Sequence, residues 1–122
     1  MKTTSLDLSL RNDLHWLSSL VSVVRFAAVS IPFFLAGAVA RDLLLWYGYG
    51  VTTGRATQDV DIAFFVAGWD DFFSLKSRLS ASGVFLEVPG IVQRVRFKGT
   101  LDVDLLPFGG VDDVLMAGLF AV

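Results

Sequence analysis

The sequence predicts an α+β domain of α/β-like character, with helices packed against one mixed central sheet. Helical and strand-like hydrophobic patterns alternate along the chain in the order αβαβαβ(β). The length of 122 residues suits one domain, 1–122, with a substantial core. There is no cysteine, so neither a disulfide framework nor a thiolate metal site stabilises it.

The elements follow from hydrophobic periodicity and from the positions of glycine and proline. The expected helices are 5–29, 38–48 and 68–83, and the expected strands are 33–37, 59–66, 93–98 and 101–108. Pro32 ends the first helix, and Gly48 is the expected C-cap of the second. Asp70 is the expected N-cap of the third helix, which Gly83 closes. Pro107 should limit the last strand, because proline has no N–H for a ladder.

The high apolar content raises the question of a membrane segment. The hydrophobic fraction is 54% and the mean hydropathy is +0.64. The most apolar stretch, 20–40, is interrupted by Arg25, Ser30 and Pro32. Its unbroken part, 33–40, is far shorter than the roughly 20 residues that a membrane span needs. The N-terminal stretch carries two aspartates and no early apolar run, which is unlike a signal peptide. We therefore expect a cytoplasmic chain without a membrane partner.

Two Asp-x-Asp pairs are the most informative feature of the sequence. Asp59 and Asp61 begin one apolar strand, and Asp102 and Asp104 lie in another. Residues i and i+2 of a strand project from the same face, roughly 7 Å apart. If the two strands are neighbours, four carboxylates meet and repel each other unless cations lie between them. Two Mg²⁺ ions about 3.5–4 Å apart would supply that charge. The alternative is that these acids are structural, since a single Asp-x-Asp is common.

The last two strands favour one hairpin register. A three-residue loop, 98–100, pairs Arg96 with Asp102 and Arg94 with Asp104, and keeps the apolar residues on the opposite face. A two-residue loop would pair apolar with charged side chains. Gly99 suits the left-handed position of the longer loop. The arginines would then form cross-strand ion pairs, steer phosphate, or do both.

Other residues indicate a site for phosphate. Gly37 lies between a strand and a helix, so the N–H groups at that helix start could hold a phosphate; a simple tight turn is the alternative. Arg55 and Thr57 precede the first Asp-x-Asp pair and provide a cationic and polar approach to it. The only histidine, His15, is expected at the surface or at the boundary between surface and core. The net charge of −2 gives no general attraction to nucleic acid.

Four segments together carry a family resemblance: "FLAGAVARDLLLWYGYG", "RATQDVDIAFFVAGWDDF", "QRVRF" and "VDLLPFGG". In this order they resemble the AbiEii-type nucleotidyltransferase toxin family, within the polymerase-β-like nucleotidyltransferase superfamily. The likeness covers roughly residues 10–112. It implies the nucleotidyltransferase fold, with Gly37 in the nucleotide-binding turn and Asp59, Asp61 and Asp104 as catalytic metal ligands. Ala38 stands where the superfamily usually has serine, which removes a hydroxyl contact to the triphosphate.

The resemblance also implies an activity. A nucleoside monophosphate would pass from an NTP to an acceptor hydroxyl, with two Mg²⁺ ions and with Asp104 accepting the proton. Arg41, one turn after the glycine, would lie near the phosphates, and Arg94 near the acids. The acceptor would be tRNA or another RNA, and an antitoxin protein would restrain the enzyme. The helical C-terminal part of the family is expected to be missing. An inactive binding or regulatory module of the same fold, or a nuclease, are the alternatives.

Overall fold

A computed structural model describes residues 15–50 and 59–111 of the chain. These residues form three helices and five strands. The helices are α1 (His15–Ala28), α2 (Gly37–Tyr49) and α3 (Trp69–Ala81), and the strands are β1 (Phe33–Ala36), β2 (Asp59–Val66), β3 (Phe85–Glu87), β4 (Arg94–Phe97) and β5 (Leu101–Gly109). Residues 5–14 of the first expected helix lie outside the described part.

The five strands form one sheet in the order β1-β2-β5-β4-β3. Strands β2 and β5 are parallel neighbours at its centre, and the other three pairings are antiparallel. The chain between β2 and β5 supplies α3, the edge strand β3 and its neighbour β4. The predicted mixed sheet with helices against it is confirmed.

The two faces of the sheet differ in chemistry because strand side chains alternate with a period of two. On β2, Val60, Ile62, Phe64 and Val66 are all buried. They share one hydrophobic core with the buried side of the helices, which includes the following residues: Leu17, Leu20, Val24, Val39, Leu43, Phe72, Leu75 and Leu79. The opposite face of β2 begins with Asp59 and Asp61, as the alternation predicts. The helices therefore cover one face, and the acids lie on the other.

Two expected helix caps are wrong. Helix α2 continues past Gly48, and Gly50 ends it with φ +67°, its N–H donating to the carbonyl of Trp46. Helix α3 begins after Gly68, and no side chain caps it at that position. Asp70 lies instead in the first turn, where a negative charge favours the helix dipole.

The strand predictions were incomplete at two places. Strand β3 was missed, because three residues with one buried side chain, Phe85, are too few to show a period. Strand β5 continues past Pro107, which pairs with Phe64 of β2. The N–H of Leu105 donates to Gln93 on the β4 side, so the ring nitrogen of Pro107, two residues later, faces the same side beyond the end of β4. Pro107 therefore removes no hydrogen bond from the parallel pairing of β5 with β2.

The apolar stretch 20–40 divides into the end of α1, strand β1 and the start of α2. Across the described ranges, no helix combines the length and apolar character that crossing a bilayer requires. His15 is exposed at the start of α1, as predicted. The C-terminal residues 112–122 lie outside the described part.

Candidate functional site

The four predicted aspartates lie side by side on the open face of the sheet. In the parallel pairing of β2 with β5, Asp59 is opposite Asp102 and Asp61 is opposite Asp104. Neighbouring strands lie about 4.8 Å apart, so each opposed pair places two carboxylates within reach of each other. The juxtaposition of the two Asp-x-Asp pairs is therefore confirmed. We call these four residues the acidic cluster.

Asp61 lies in an environment that disfavours its charged form. Burial raises the pKa of Asp61, and the neighbouring carboxylates of Asp104 and Asp59 raise it further, while Arg94 opposes the change. Both effects disfavour the charged form of the acid. A nearby cation would therefore stabilise the charged form of Asp61.

Gly37 lies directly against Asp61. It begins α2 with φ +66°, and a Cβ atom built on it would lie 2.2 Å from Oδ2 of Asp61. Only glycine accepts both the left-handed backbone and this close approach. The N-cap residue of α2, Ala36, makes no side-chain hydrogen bond to the helix start, and it pairs with Asp61 across the sheet. The start of α2 and the acidic cluster are therefore one continuous surface.

The hairpin of β4 and β5 adds two arginines in the predicted register. Arg94 is opposite Asp104 and Arg96 is opposite Asp102, around a loop in which Gly99 has φ +74°. Arg94 binds both oxygens of Asp104, with Nε 2.7 Å from Oδ1 and Nη2 3.3 Å from Oδ2. This hydrogen bonding and the charge of Asp104 raise the pKa of Arg94.

Arg96 forms the equivalent ion pair with Asp102, two residues along each strand from the first pair. Nε of Arg96 lies 2.9 Å from Oδ1 of Asp102. Nη1 of Arg94 also approaches Oδ2 of Asp102, at 3.7 Å. The ion-pair interpretation of both arginines is therefore confirmed, and Asp102 is the partner expected for Arg96.

The acidic cluster is aligned by the backbone, but its side chains do not converge on one point. Within residues 15–50 and 59–111, no group of three or more His, Cys, Asp or Glu side chains could hold a metal ion as it stands. Asp59 is exposed at the first position of β2, and Asp104 is engaged by Arg94. The donor chemistry suits Mg²⁺, which prefers carboxylate oxygens. Side-chain rotation about fixed backbone positions is what such a site would require.

The remaining predicted phosphate-binding residues have different positions. Ala38 lies in the first turn of α2, next to Gly37. Arg41 is exposed, with Nε 3.7 Å from Oδ1 of its neighbour Asp42. Arg55 and Thr57 lie outside the described residues. The first turn of α2 thus carries Gly37 and Ala38, two of the residues predicted to bind phosphate. Arg41 follows on the same helix and its side chain is exposed to solvent.

The open face has an apolar half that the sequence analysis missed. Phe34 and Phe65 are each about half exposed, and both contact Phe108, with ring centroids 5.5 Å and 5.3 Å apart. The alternation of side chains along a strand could have predicted these aromatic positions. Phe65 lies four residues after Asp61 and Phe108 four residues after Asp104, so each shares a face with that aspartate. The acids and their arginine partners therefore occupy one end of this sheet face, and the aromatic side chains occupy the other.

Comparison with protein-family models, with curated proteins and with solved structures finds no match to this chain. The family resemblance therefore rests on the sequence motifs.

Proposed function

We propose that the chain is a metal-dependent nucleotidyltransferase, which transfers a nucleoside monophosphate from an NTP to an acceptor hydroxyl. One observation carries the proposal: Asp61 lies beside Asp104 on parallel central strands and against Gly37 at the start of α2. A cation would relieve the repulsion between these acids, and the N–H groups of a helix start without a side-chain cap would bind the phosphates that the cation carries. The quoted motifs and their resemblance to AbiEii-type toxins support the same activity.

Each part of the site has a distinct role in this proposal. The N–H groups at the start of α2, around Gly37 and Ala38, face phosphate oxygens of the NTP, aided by the positive end of the helix dipole. Asp59, Asp61 and Asp104 are the residues that would hold two Mg²⁺ ions. When bound, these ions supply charge for the triphosphate and lower the pKa of the attacking hydroxyl. Arg41, Arg55 and Thr57 would contribute outer contacts to the nucleotide.

Asp104 is the candidate acceptor for the proton of the attacking hydroxyl. Both of its oxygens accept hydrogen bonds from Arg94. Each carboxylate oxygen has two lone pairs, so each oxygen of Asp104 keeps one lone pair for a proton while it is bonded to Arg94.

The wider biological setting follows from the resemblance alone. The acceptor would be tRNA or another RNA, the chain would act as the toxin of a toxin–antitoxin system in the cytoplasm, and an antitoxin protein would restrain it. With a net charge of −2, the chain would bind RNA through local contacts rather than through its overall charge.

Label transfer tests the proposed activity. Purified protein is incubated with Mg²⁺, total tRNA and each of the four NTPs labelled at the α-phosphate, and the RNA is separated on a denaturing gel. Wild-type protein should label RNA, and Asp59→Asn, Asp61→Asn and Asp104→Asn should reduce the label at least about a hundredfold. Asp70→Asn is the matched control, because Asp70 is an exposed acid of α3 away from the open face.

Two outcomes would contradict the proposal. Unlabelled RNA with all four NTPs would exclude transfer to tRNA, and equal labelling by wild type and Asp61→Asn would exclude a role for the acidic cluster. Shortening of the RNA without any NTP would point to a nuclease instead.

An inactive module of the same fold is the second candidate, and the side-chain arrangement favours it. The carboxylates are not gathered around one point in the described residues, and arginines neutralise two of them. Such a module would bind nucleotide or a partner without turnover. Saturable NTP binding by equilibrium dialysis, combined with no label transfer at any Mg²⁺ concentration, would identify it.

A further inference from the structure

We propose that Lys76, on the helix-covered side of the sheet, is a positioning residue for Arg94 on the open face. Lys76 acts through residues 88–93, which join β3 to β4 and which we call the β3–β4 connection. Its importance for a reaction rests on the proposed function, because Arg94 there binds the candidate proton acceptor, Asp104. Its effect on the position of Arg94 requires no bound ion or nucleotide.

Lys76 is a buried charge that needs partners. It lies on α3 with 8% of its surface exposed, and among residues 15–50 and 59–111 no other polar or charged residue is buried. A buried ammonium is costly unless it is paired. Nζ of Lys76 donates to the carbonyl oxygen of Val92 at 2.7 Å, and it lies 3.8 Å from Oε1 of Glu87. One ammonium thus contacts both the end of β3 and the far part of the β3–β4 connection.

The β3–β4 connection has little apolar packing to hold it in place. None of its residues is buried, and Ile91 and Val92 are 44% and 54% exposed. Within it, the N–H of Ile91 donates to Val88, and the N–H of Arg94 donates to Ile91, both at 3.2 Å. A hydrogen bond from a charged donor is roughly twice as strong as one between neutral groups. The bond from Lys76 is therefore a major restraint on the connection.

A short path leads from Lys76 to Arg94. Val92 lies two residues before Arg94, the first residue of β4. Gln93, between them, accepts a hydrogen bond at 2.7 Å from the N–H of Leu105 on β5. A shift of Val92 would therefore move Gln93 and Arg94 together. Since Arg94 binds both oxygens of Asp104 in one plane, even a small shift should loosen that pair.

Hydrogen exchange in Lys76→Met tests this path. Methionine has a similar length and fills the space of the lysine side chain, but it cannot donate to Val92. The backbone N–H groups of Arg94 and Leu105 should exchange about tenfold faster than in wild type, because one charge-assisted hydrogen bond is lost. The N–H of Lys98, which donates to Val84 at the other end of β4, should stay within about twofold of wild type.

The side chain of Arg94 provides a second measurement on the same variant. In ¹⁵N spectra, its Nε–H signal should shift and exchange faster with solvent in Lys76→Met, although neither Arg94 nor Asp104 is altered. Lys98→Met is the matched control, because it removes an exposed lysine at the opposite end of β4. It should leave the Arg94 signal as in wild type.

Glu87→Gln separates the two contacts of Lys76. The side chain of Glu87 is 63% exposed, so this variant removes the ion pair and keeps the bond to Val92 with little risk to folding. The amide of Arg94 should then exchange at a rate closer to that of wild type than to that of Lys76→Met. An effect as large as that of Lys76→Met would show that the path does not run through Val92.

Three other results would overturn the inference. An unchanged Arg94 signal in Lys76→Met would show that other contacts position the arginine. Equally faster exchange at Arg94, Leu105 and Lys98 would show that Lys76 supports the whole domain instead. Failure of both Lys76→Met and Lys76→Gln to fold would show the same. Label transfer by the wild-type protein tests the proposed function separately, so the two can fail independently.

Discussion

Replacing Gly37 by alanine tests whether the start of α2 and Asp61 form one site. Gly37 has φ +66°, and the new Cβ would lie 2.2 Å from Oδ2 of Asp61. A left-handed backbone costs an L-residue about 1–2 kcal/mol. Turning the Asp61 side chain away from its preferred rotamer adds about 0.5–1.5 kcal/mol. Gly37→Ala should therefore lower the free energy of unfolding by about 1.5–3.5 kcal/mol, measured by urea denaturation.

Gly50 provides a matched control on the same helix. It has φ +67°, and a Cβ atom there would meet nothing within 4 Å. Gly50→Ala should cost only the backbone part, about 1–2 kcal/mol. The difference between the two variants isolates the contact with Asp61.

A double-mutant cycle completes this test. In an Asp61→Ala background the crowded oxygen is gone, and the nearest remaining side-chain atom, the Cβ of residue 61, lies at an ordinary contact distance of 3.5 Å. Gly37→Ala should then cost no more than Gly50→Ala. If the excess cost of Gly37→Ala persists in that background, or if the two glycine variants cost the same in the wild-type chain, the inferred packing of Gly37 on Asp61 is wrong.

Three further substitutions test other parts of the account. Asp61→Asn should raise stability at pH 7 by about 0.5–2 kcal/mol. Because the folded-state pKa of Asp61 is raised, this gain should shrink as the pH falls through it and vanish below the ordinary value of 3.8; a gain independent of pH would contradict the crowding with Asp104. Val29→Gly should stabilise by about 0.5–1 kcal/mol in urea denaturation, because Val29 is 75% exposed with φ +59°, and a loss would show that its side chain packs usefully. Gly110→Ala should cost about 2–3 kcal/mol, since its Cβ would lie 1.7 Å from the carbonyl oxygen of Ala67; a melting temperature like that of wild type would refute this packing.

The hairpin shows why some of the site could be predicted from the sequence. Only one loop length keeps Arg94 and Arg96 opposite aspartates and leaves the apolar residues on the other face, and the structure has that register. The constraint is local, because the two strands are adjacent in sequence. The core face of β2 was predictable for the same reason, since a period of two fixes its buried residues.

The sequence alone did not predict that β2 and β5 are neighbours, so the meeting of their aspartates could be stated only on that condition. These strands are neighbours through contacts between residues about forty positions apart, which no local pattern encodes. The contact of Gly37 with Asp61 also joins residues that are far apart in the sequence, so no local pattern predicts it. The error at the end of α2 arose because two nearby glycines, Gly48 and Gly50, could each end the helix. Gly50 is the one with the left-handed conformation.

The most direct test of the central claim is a crystal structure with Mn²⁺ and a non-hydrolysable NTP analogue, in which anomalous scattering locates the metal. We predict two Mn²⁺ ions about 3.5–4 Å apart on the open face, with carboxylate oxygens of Asp59, Asp61 and Asp104 as ligands. Anomalous peaks only elsewhere, such as beside Asp70 and Asp71 on α3, would contradict this prediction.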